Sequence, residues 1–158
     1  MELKFEEIAV YLHCSDEIAA KLKRRVMELA SNAPIDGHGI YARDGDKFLF
    51  CGTIGNAFDL WHRQLSVRSA ADALIAQAIG TAAIEKTMDE LEVKVRESLA
   101  LGERLKPRRS PGYGKMALQL NYEIVEFLQA TKRIGVSVTD SMTLLPFKSV
   151  TAICEVVK

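Results

Sequence analysis

The stretch from Ser69 to about Leu101 constrains this chain more than any other, because it reads as one helix far longer than the rest. Its first half is rich in small residues: Ala70, Ala71, Ala73, Ala76, Ala78, Gly80, Ala82 and Ala83. Small side chains let a backbone or a ligand come close, and their commoner use is tight packing of a central helix. Ala71, Ile75, Ala78 and Ala82 mark one face, and the next positions on that stripe are Glu85 and Asp89. Carboxylates on an apolar stripe either mark the point where the helix emerges into solvent, the plainer reading, or serve a site.

Around this helix the pattern alternates between short helices and strands. Glu6 to Leu12 reads as one or two helical turns. Ser15 caps a helix over Asp16 to Ala30, where Ile18, Leu22, Val26 and Leu29 recur at helical spacing and Asp16 and Glu17 occupy the first turn. Gly39 to Ala42 and Lys47 to Gly52 flank Arg43-Asp44-Gly45-Asp46, whose Asp-Gly pair signals a hairpin. Gly55-Asn56 ends the second strand, and Asn56 can cap a helix running through Leu65. Gly52-Thr53-Ile54-Gly55 is a lone GxxG, read as a helix entry rather than a phosphate loop. Leu118 to Ala130 returns to helix, and Gly135 to Val138 and Ser149 to Val157 read as strands. Strands near both ends with helices gathered between them, and no βαβ rhythm, argue an α+β fold with a largely antiparallel twisted sheet and helices packed around it. The expected core comprises Ile18, Leu22, Val26, Phe50, Leu74, Ile75, Ile79, Ile124, Phe127, Val136, Val138, Val150 and Ile153, with Trp61 lining it.

Composition narrows the class. The 158 residues suit one domain over 1–158, at ~150 residues per domain. Lys+Arg 21 against Asp+Glu 21 leaves no net field to favour nucleic acid or an anionic membrane. Cys14, Cys51 and Cys154 are odd in number and lack a C-x-x-C pair, which fits reduced thiols. His13, His38 and His62 show no metal-ligand spacing, and the His13-Cys14 pair reads as a loop rather than the start of a zinc site. No stretch approaches the ~20 apolar residues of a membrane span, and the acidic start MELKFEEIAVYL is unlike a signal peptide. The expectation is a cytoplasmic protein with no metal site and no convincing nucleophile–base pair.

Gly102 to Lys115 is a basic loop rich in glycine and proline, and Arg108-Arg109-Ser110-Pro111-Gly112-Tyr113-Gly114 is its most informative part. Pro111 pre-sets φ at the second position of a turn and Gly112 supplies the positive φ that a type II turn then needs. Arg108 offers a planar fork of donors suited to a carboxylate or phosphate. Tyr113 adds an aromatic face that can stack on a base or attract a cation. By itself, this is a basic surface loop with a tight turn.

Taken with Arg133-Ile134-Gly135-Val136-Ser137-Val138-Thr139-Asp140-Ser141-Met142 and Pro146-x-Lys148-Ser149-Val150-Thr151-Ala152-Ile153, the loop resembles the S-adenosylmethionine-binding activation domain of cobalamin-dependent methionine synthase, in a small stand-alone form. Thr53-Ile54-Gly55 and the Asp72 to Glu85 helix fall where that family has similar segments. The resemblance runs from about residue 48 to the end, and roughly the first 45 residues match loosely. It implies a cofactor site at Arg108, Ser110, Gly112 and Tyr113, with Glu85 at a family acid near that site and near the contact with the cobalamin domain. It implies S-adenosylmethionine as ligand and cobalamin only on a partner, a corrinoid protein or methyltransferase subunit. It supplies no counterpart for an acid and an aromatic that the longer family domain contributes from its terminal segments. The chain has no cobalamin-binding D-x-H-x-x-G segment, homocysteine zinc site or folate barrel, so it is at most a component of such an enzyme.

Two classes of function follow from the resemblance. One is a subunit that binds S-adenosylmethionine for reductive reactivation of a corrinoid methyltransferase, alone or as a homodimer that completes the site. The other is a non-catalytic docking module for a corrinoid protein, with no small-molecule ligand. An unrelated S-adenosylmethionine-dependent methyltransferase would need a G-x-G-x-x-G-like loop after a strand, which is missing.

Overall fold

In the computed structural model, which describes residues 1–158, the helices are α1 (Phe5–Ala9), α2 (Asp16–Asn32), α3 (Asn56–Arg68), α4 (Ala70–Glu97), α5 (Leu120–Leu128) and α6 (Ala130–Ile134). The strands are β1 (His38–Asp44), β2 (Lys47–Thr53), β3 (Arg104–Leu105), β4 (Ser137–Val138), β5 (Leu144–Leu145) and β6 (Ser149–Val157). The main sheet is antiparallel throughout, in the order β1-β2-β6-β3, and β4 and β5 form a separate small ladder. The α+β expectation holds, with the C-terminal strand inserted at the centre of the sheet. Only Ser137–Val138 of the segment expected as a strand pairs, and it does so outside the main sheet.

β2 shows why both faces of the sheet are covered. Phe48 and Phe50 point to one face, where Met88, Leu91 and Val95 of α4 meet them; Leu49 and Cys51 point to the other, against Ile124, Val125 and Leu128 of α5. Alternate residues therefore serve two different cores, and burying a side chain such as Phe50 contributes ~1.5–3 kcal/mol. The hairpin before it turns at Gly45-Asp46, between the paired Asp44 and Lys47, and Gly45 alone of those two takes positive φ.

The long helix is central, as its small residues suggest. It spans about 42 Å at ~1.5 Å per residue. Its first half is buried among α1, α2 and α3 through Ile75, Ala78, Ile79, Ala82 and Ala83, and its second half lies on the sheet. Close approach there depends on Gly39 and Gly52, which are directly paired across β1 and β2. A Cβ at Gly52 would stand 2.6 Å from Met88 Sδ, and one at Gly39 would stand 2.8 Å from Leu91 Cγ.

Helix entries follow the sequence closely, with one change. Ser15 accepts from the Ile18 N–H as expected. Gly55, with φ +85, takes the N-cap of α3 instead of Asn56, which lies inside the first turn. The GxxG is thus a helix entry.

Val26, Phe50, Ile75, Ile79, Ile124 and Val136 are buried as expected, and Leu22, Val138, Val150, Ile153 and Trp61 are half-buried. Ile18, Leu74 and Phe127 are exposed, contrary to expectation. In α2 the buried stripe is Ala19, Val26 and Leu29, one position on from Ile18. Leu74 shares a face with the exposed Ala70 and Gln77. Phe127 lies off the α5 stripe of Asn121, Ile124, Val125 and Leu128. That helix also stops earlier than its pattern suggests, because Gln129 adopts the left-handed conformation and starts a new turn as α6.

Candidate functional site

The loop after α4 is held along β6. Arg104 and Leu105 pair with Val157 and Val156, the Lys106 N–H donates to the Glu155 carbonyl, and Arg109 exchanges both backbone bonds with Ile153 at 3.0 and 2.8 Å. Lys106 and Arg109 both reach the Glu155 carboxylate as well. Beyond Arg109 the loop leaves the strand in a tight turn: the Tyr113 N–H donates to the Ser110 carbonyl at 3.3 Å, and Gly112 has φ +86. This matches the type II turn expected of Ser110-Pro111-Gly112-Tyr113. Pro111 is buried beneath it, and the Tyr113 ring is 79% exposed.

Where the loop departs, it opens a cleft of about 770 Å³. One wall is Arg108, Ser110, Pro111 and Tyr113; the others are Glu85 of α4, Asn121 of α5, and Ser149, Val150 and Thr151 of β6. Of the residues singled out in the sequence, Glu85, Arg108, Ser110 and Tyr113 line this one cleft, while Gly112 shapes the turn and is not part of the lining. In the ladder, Ile153 turns its N–H and C=O toward Arg109. Two residues earlier, Thr151 presents its own N–H and C=O on the same side, past the last paired residue of the loop. The cleft therefore contains a strand edge with a donor and an acceptor side by side.

Arg108 is not the open fork that the sequence suggested. Its Nη2 donates to Glu85 Oε2 at 2.7 Å, and its Nη1 lies 3.1 Å from Asp89 Oδ1 and 3.7 Å from Glu92 Oε2. The carboxylate that its planar head meets is the chain's own. Glu85, Asp89 and Glu92 fall at i, i+4 and i+7 on α4, so one helix face supplies all three. The Arg108 side chain is 15% exposed, and Nη1 is buried without a hydrogen bond of good geometry. Glu85 and Asp89 thus leave the apolar stripe to hold the loop rather than simply to meet solvent. Burial pushes the Tyr11 hydroxyl above its usual pKa, and the neighbouring Glu85 and Asp89 charges add to the effect. Glu85 is the one acid of this stripe that lines the cleft, and Asp89 and Tyr11 lie just behind it, with Arg108 as the counter-charge.

The far wall was not foreseen. Thr151 Oγ1 donates to Asn121 Oδ1 at 2.6 Å, Asn121 Nδ2 donates to the Met142 carbonyl at 2.9 Å, and Ser149 Oγ donates to Thr53 Oγ1 at 2.9 Å. The signal for it was a polar residue, Asn121, on the apolar face of α5 opposite two hydroxyls, Ser149 and Thr151, in a strand whose other residues up to Cys154 are apolar. Elsewhere, no group of three or more His, Cys, Asp or Glu side chains is arranged to hold a metal ion, and no helix is long and apolar enough to cross a membrane.

No family model matches the chain, and no curated protein matches it in sequence. Among solved structures it is similar to the MetH reactivation domain bound to AdoHcy, with a TM-score of 0.65 and 14% identity, over 98% of this chain and 70% of that one. The shared feature is the fold.

Proposed function

We propose that the chain binds S-adenosylmethionine in the cleft between the Arg108–Tyr113 loop and β6, as a module for reactivating a corrinoid methyltransferase whose cobalamin resides on a partner protein. The observation that carries this reading is the convergence of Glu85, Arg108, Ser110 and Tyr113, from two distant segments, on one cleft of a fold similar to an AdoHcy-bound reactivation domain. The residues fit the ligand's chemistry. Adenine presents an adjacent donor and acceptor that suit the Thr151 edge, and its ring suits the exposed face of Tyr113. The sulfonium and ammonium suit the corner where Glu85 and Asp89 lie. The chain's own part is positioning: it offers a fixed turn, a strand edge and fixed charges, which is how a group-transfer partner is held in place.

The charge of that corner sets a preference. S-adenosylmethionine carries one positive charge more than S-adenosylhomocysteine, so it is expected to bind about tenfold more tightly beside the acidic stripe. Calorimetric titration with both ligands tests this. Saturable binding that Tyr113→Ala weakens supports the reading, and no heat at millimolar ligand overturns it.

A second reading has one observation in its favour. Because Arg108 is already occupied by Glu85, the loop and the acidic stripe also form a finished surface, suited to docking a corrinoid protein without any small molecule. Capture of a corrinoid protein with the same affinity in the presence and absence of S-adenosylmethionine would favour this reading over the first.

A further inference from the structure

A second cavity, of about 350 Å³, lies between α3, α4 and the connection from β5 to β6. Lys148 reaches into it half-buried, over the middle of α4. Room for it comes from Gly80: a Cβ there would stand 3.0 Å from Lys148 Cε and 2.6 Å from the Phe58 ring. Glycine weakens a helix interior, and here its missing side chain is what lets a lysine stem cross.

The ammonium at the end of that stem has no carboxylate partner. It donates to Thr81 Oγ1 at 2.8 Å, a neutral hydroxyl whose own hydrogen goes to the Gln77 carbonyl at 3.0 Å. The nearest acid, Asp59, accepts the Phe147 N–H at 2.6 Å and makes no ion pair with Lys148. Burial disfavours the charged form of Lys148, with Asp59 offsetting part of that effect. An ammonium retains two further N–H donors after one bond. His62 and Arg63 of α3 are the other titratable or charged groups on the cavity wall, and with His62 neutral the set carries one net positive charge. The remaining wall is the neutral Ser66 and Gln77 together with three apolar side chains. Phe58 forms its floor, and Leu145 and Phe147 stand at its rim 43% and 64% exposed.

We propose that this cavity binds a small monocarboxylate with an aromatic or apolar body, its carboxylate on Lys148 Nζ with Arg63 at the mouth and its body between Phe58 and Phe147. A single compensating anion is what a lone, half-buried ammonium lacks, and an apolar body would cover a ring now in solvent. The site shares no lining residue with the larger cleft, so it stands independently of the function proposed above.

The test uses phenylacetate, its neutral analogue phenylacetamide, and acetate, followed through the backbone amides of Phe147 and Lys148. Emission of Trp61, the only tryptophan, whose ring centroid lies 5.4 Å from that of Phe58, gives a second readout. Phenylacetate is expected to saturate, with phenylacetamide and acetate each about tenfold weaker. Lys148→Met keeps the stem and removes the charge, and is expected to lose about tenfold or more in affinity; Arg63→Glu, at an exposed position where substitutions usually change stability little, is expected to weaken binding similarly. Arg108→Ala, in the other cleft, is expected to leave phenylacetate binding unchanged. The proposal is overturned if phenylacetamide binds as well as phenylacetate, if Arg63→Glu or a folded Lys148→Met binds like the parent, or if phenylacetate produces no saturable shift at these amides.

Discussion

Glu85 accepts a hydrogen bond from the Arg108 guanidinium at 2.7 Å, tying the middle of the longest helix to a loop 23 residues further along the chain. Asp89 and Glu92 stand next to the same guanidinium, so its removal would leave three carboxylates converging on one place. The side chains of Glu85 and Asp89 are partly in water, which screens them. Arg108→Ala is therefore expected to cost about 1–2 kcal/mol in chemical denaturation, the lower part of the range for losing a charge-assisted bond. Tyr113→Ala, on the same loop but exposed, should change stability by less than about 0.5 kcal/mol. Equal stability of Arg108→Ala and the parent would show that the acidic stripe does not anchor the loop.

Gly39 and Gly52 face each other across the hairpin and together admit α4. Gly39→Ala would place a methyl group 2.8 Å from Leu91 Cγ, inside a layer where Leu91 is buried. The expected cost is about 1–3 kcal/mol, the usual range for overpacking. Leu91→Ala in the same chain should recover part of it, so the two changes should be non-additive in a double-mutant cycle. Strict additivity would mean that α4 shifts freely over the sheet.

Much of this architecture was legible because local chemistry and tertiary need agree. The Asp-Gly hairpin, the Ser15 cap, the small-residue helix and β6 at Ser149–Val157 each answer to a signal of a few neighbouring residues. The Pro111-Gly112 turn belongs to the same class, since proline and glycine dictate its backbone angles. What was hidden depends on partners distant in sequence. The left-handed Gln129 has no residue-type signal, and Phe127 faces water only because α5 presents Asn121 and Val125 to the sheet instead. Arg108 read as a receptor for a ligand because nothing along the chain shows that three acids from α4 lie beside it. Lys148 likewise stands in the sequence only as a member of the Pro146 to Ile153 motif, and nothing along the chain shows that Gly80 and Phe58 place its stem in a cavity.

The three cysteines differ in environment. Cys51 and Cys154 are fully buried on opposite faces of the sheet, and burial pushes their thiols up to about 12 and about 11. Thiolate is the reactive form, so both are expected to be inert in the folded protein. Cys14 is exposed between α1 and α2. Under native conditions a thiol reagent should label one equivalent, lost in Cys14→Ser, and all three only in denaturant. Fast labelling of Cys51 or Cys154 would reveal opening of the sheet against α5 or α4.

Glu103 gives the fold a calculable response to acid. Arg43 of β1 holds its carboxylate with two bonds, at 3.0 and 2.7 Å, and the Ala100 N–H adds a third at 3.0 Å. The Arg43 guanidinium first, and that backbone bond second, lower its pKa from an ordinary 4.5 to about 2. A carboxyl whose pKa falls on folding stabilises the native state fully above its unfolded value and progressively less as pH drops toward its folded one. The contribution is thus complete above pH about 4.5 and gone below pH about 2, with stability falling between. Asp72 beside Arg25 and Glu155 beside Lys106 are lowered in the same sense, so the parent protein shows their summed slope. Glu103→Gln isolates one member: its denaturation midpoint should lie below the parent's at neutral pH and converge on it as pH approaches about 2. A constant gap across that window would mean that the Arg43–Glu103 clamp, which ties β1 to the approach of β3, works through packing rather than charge.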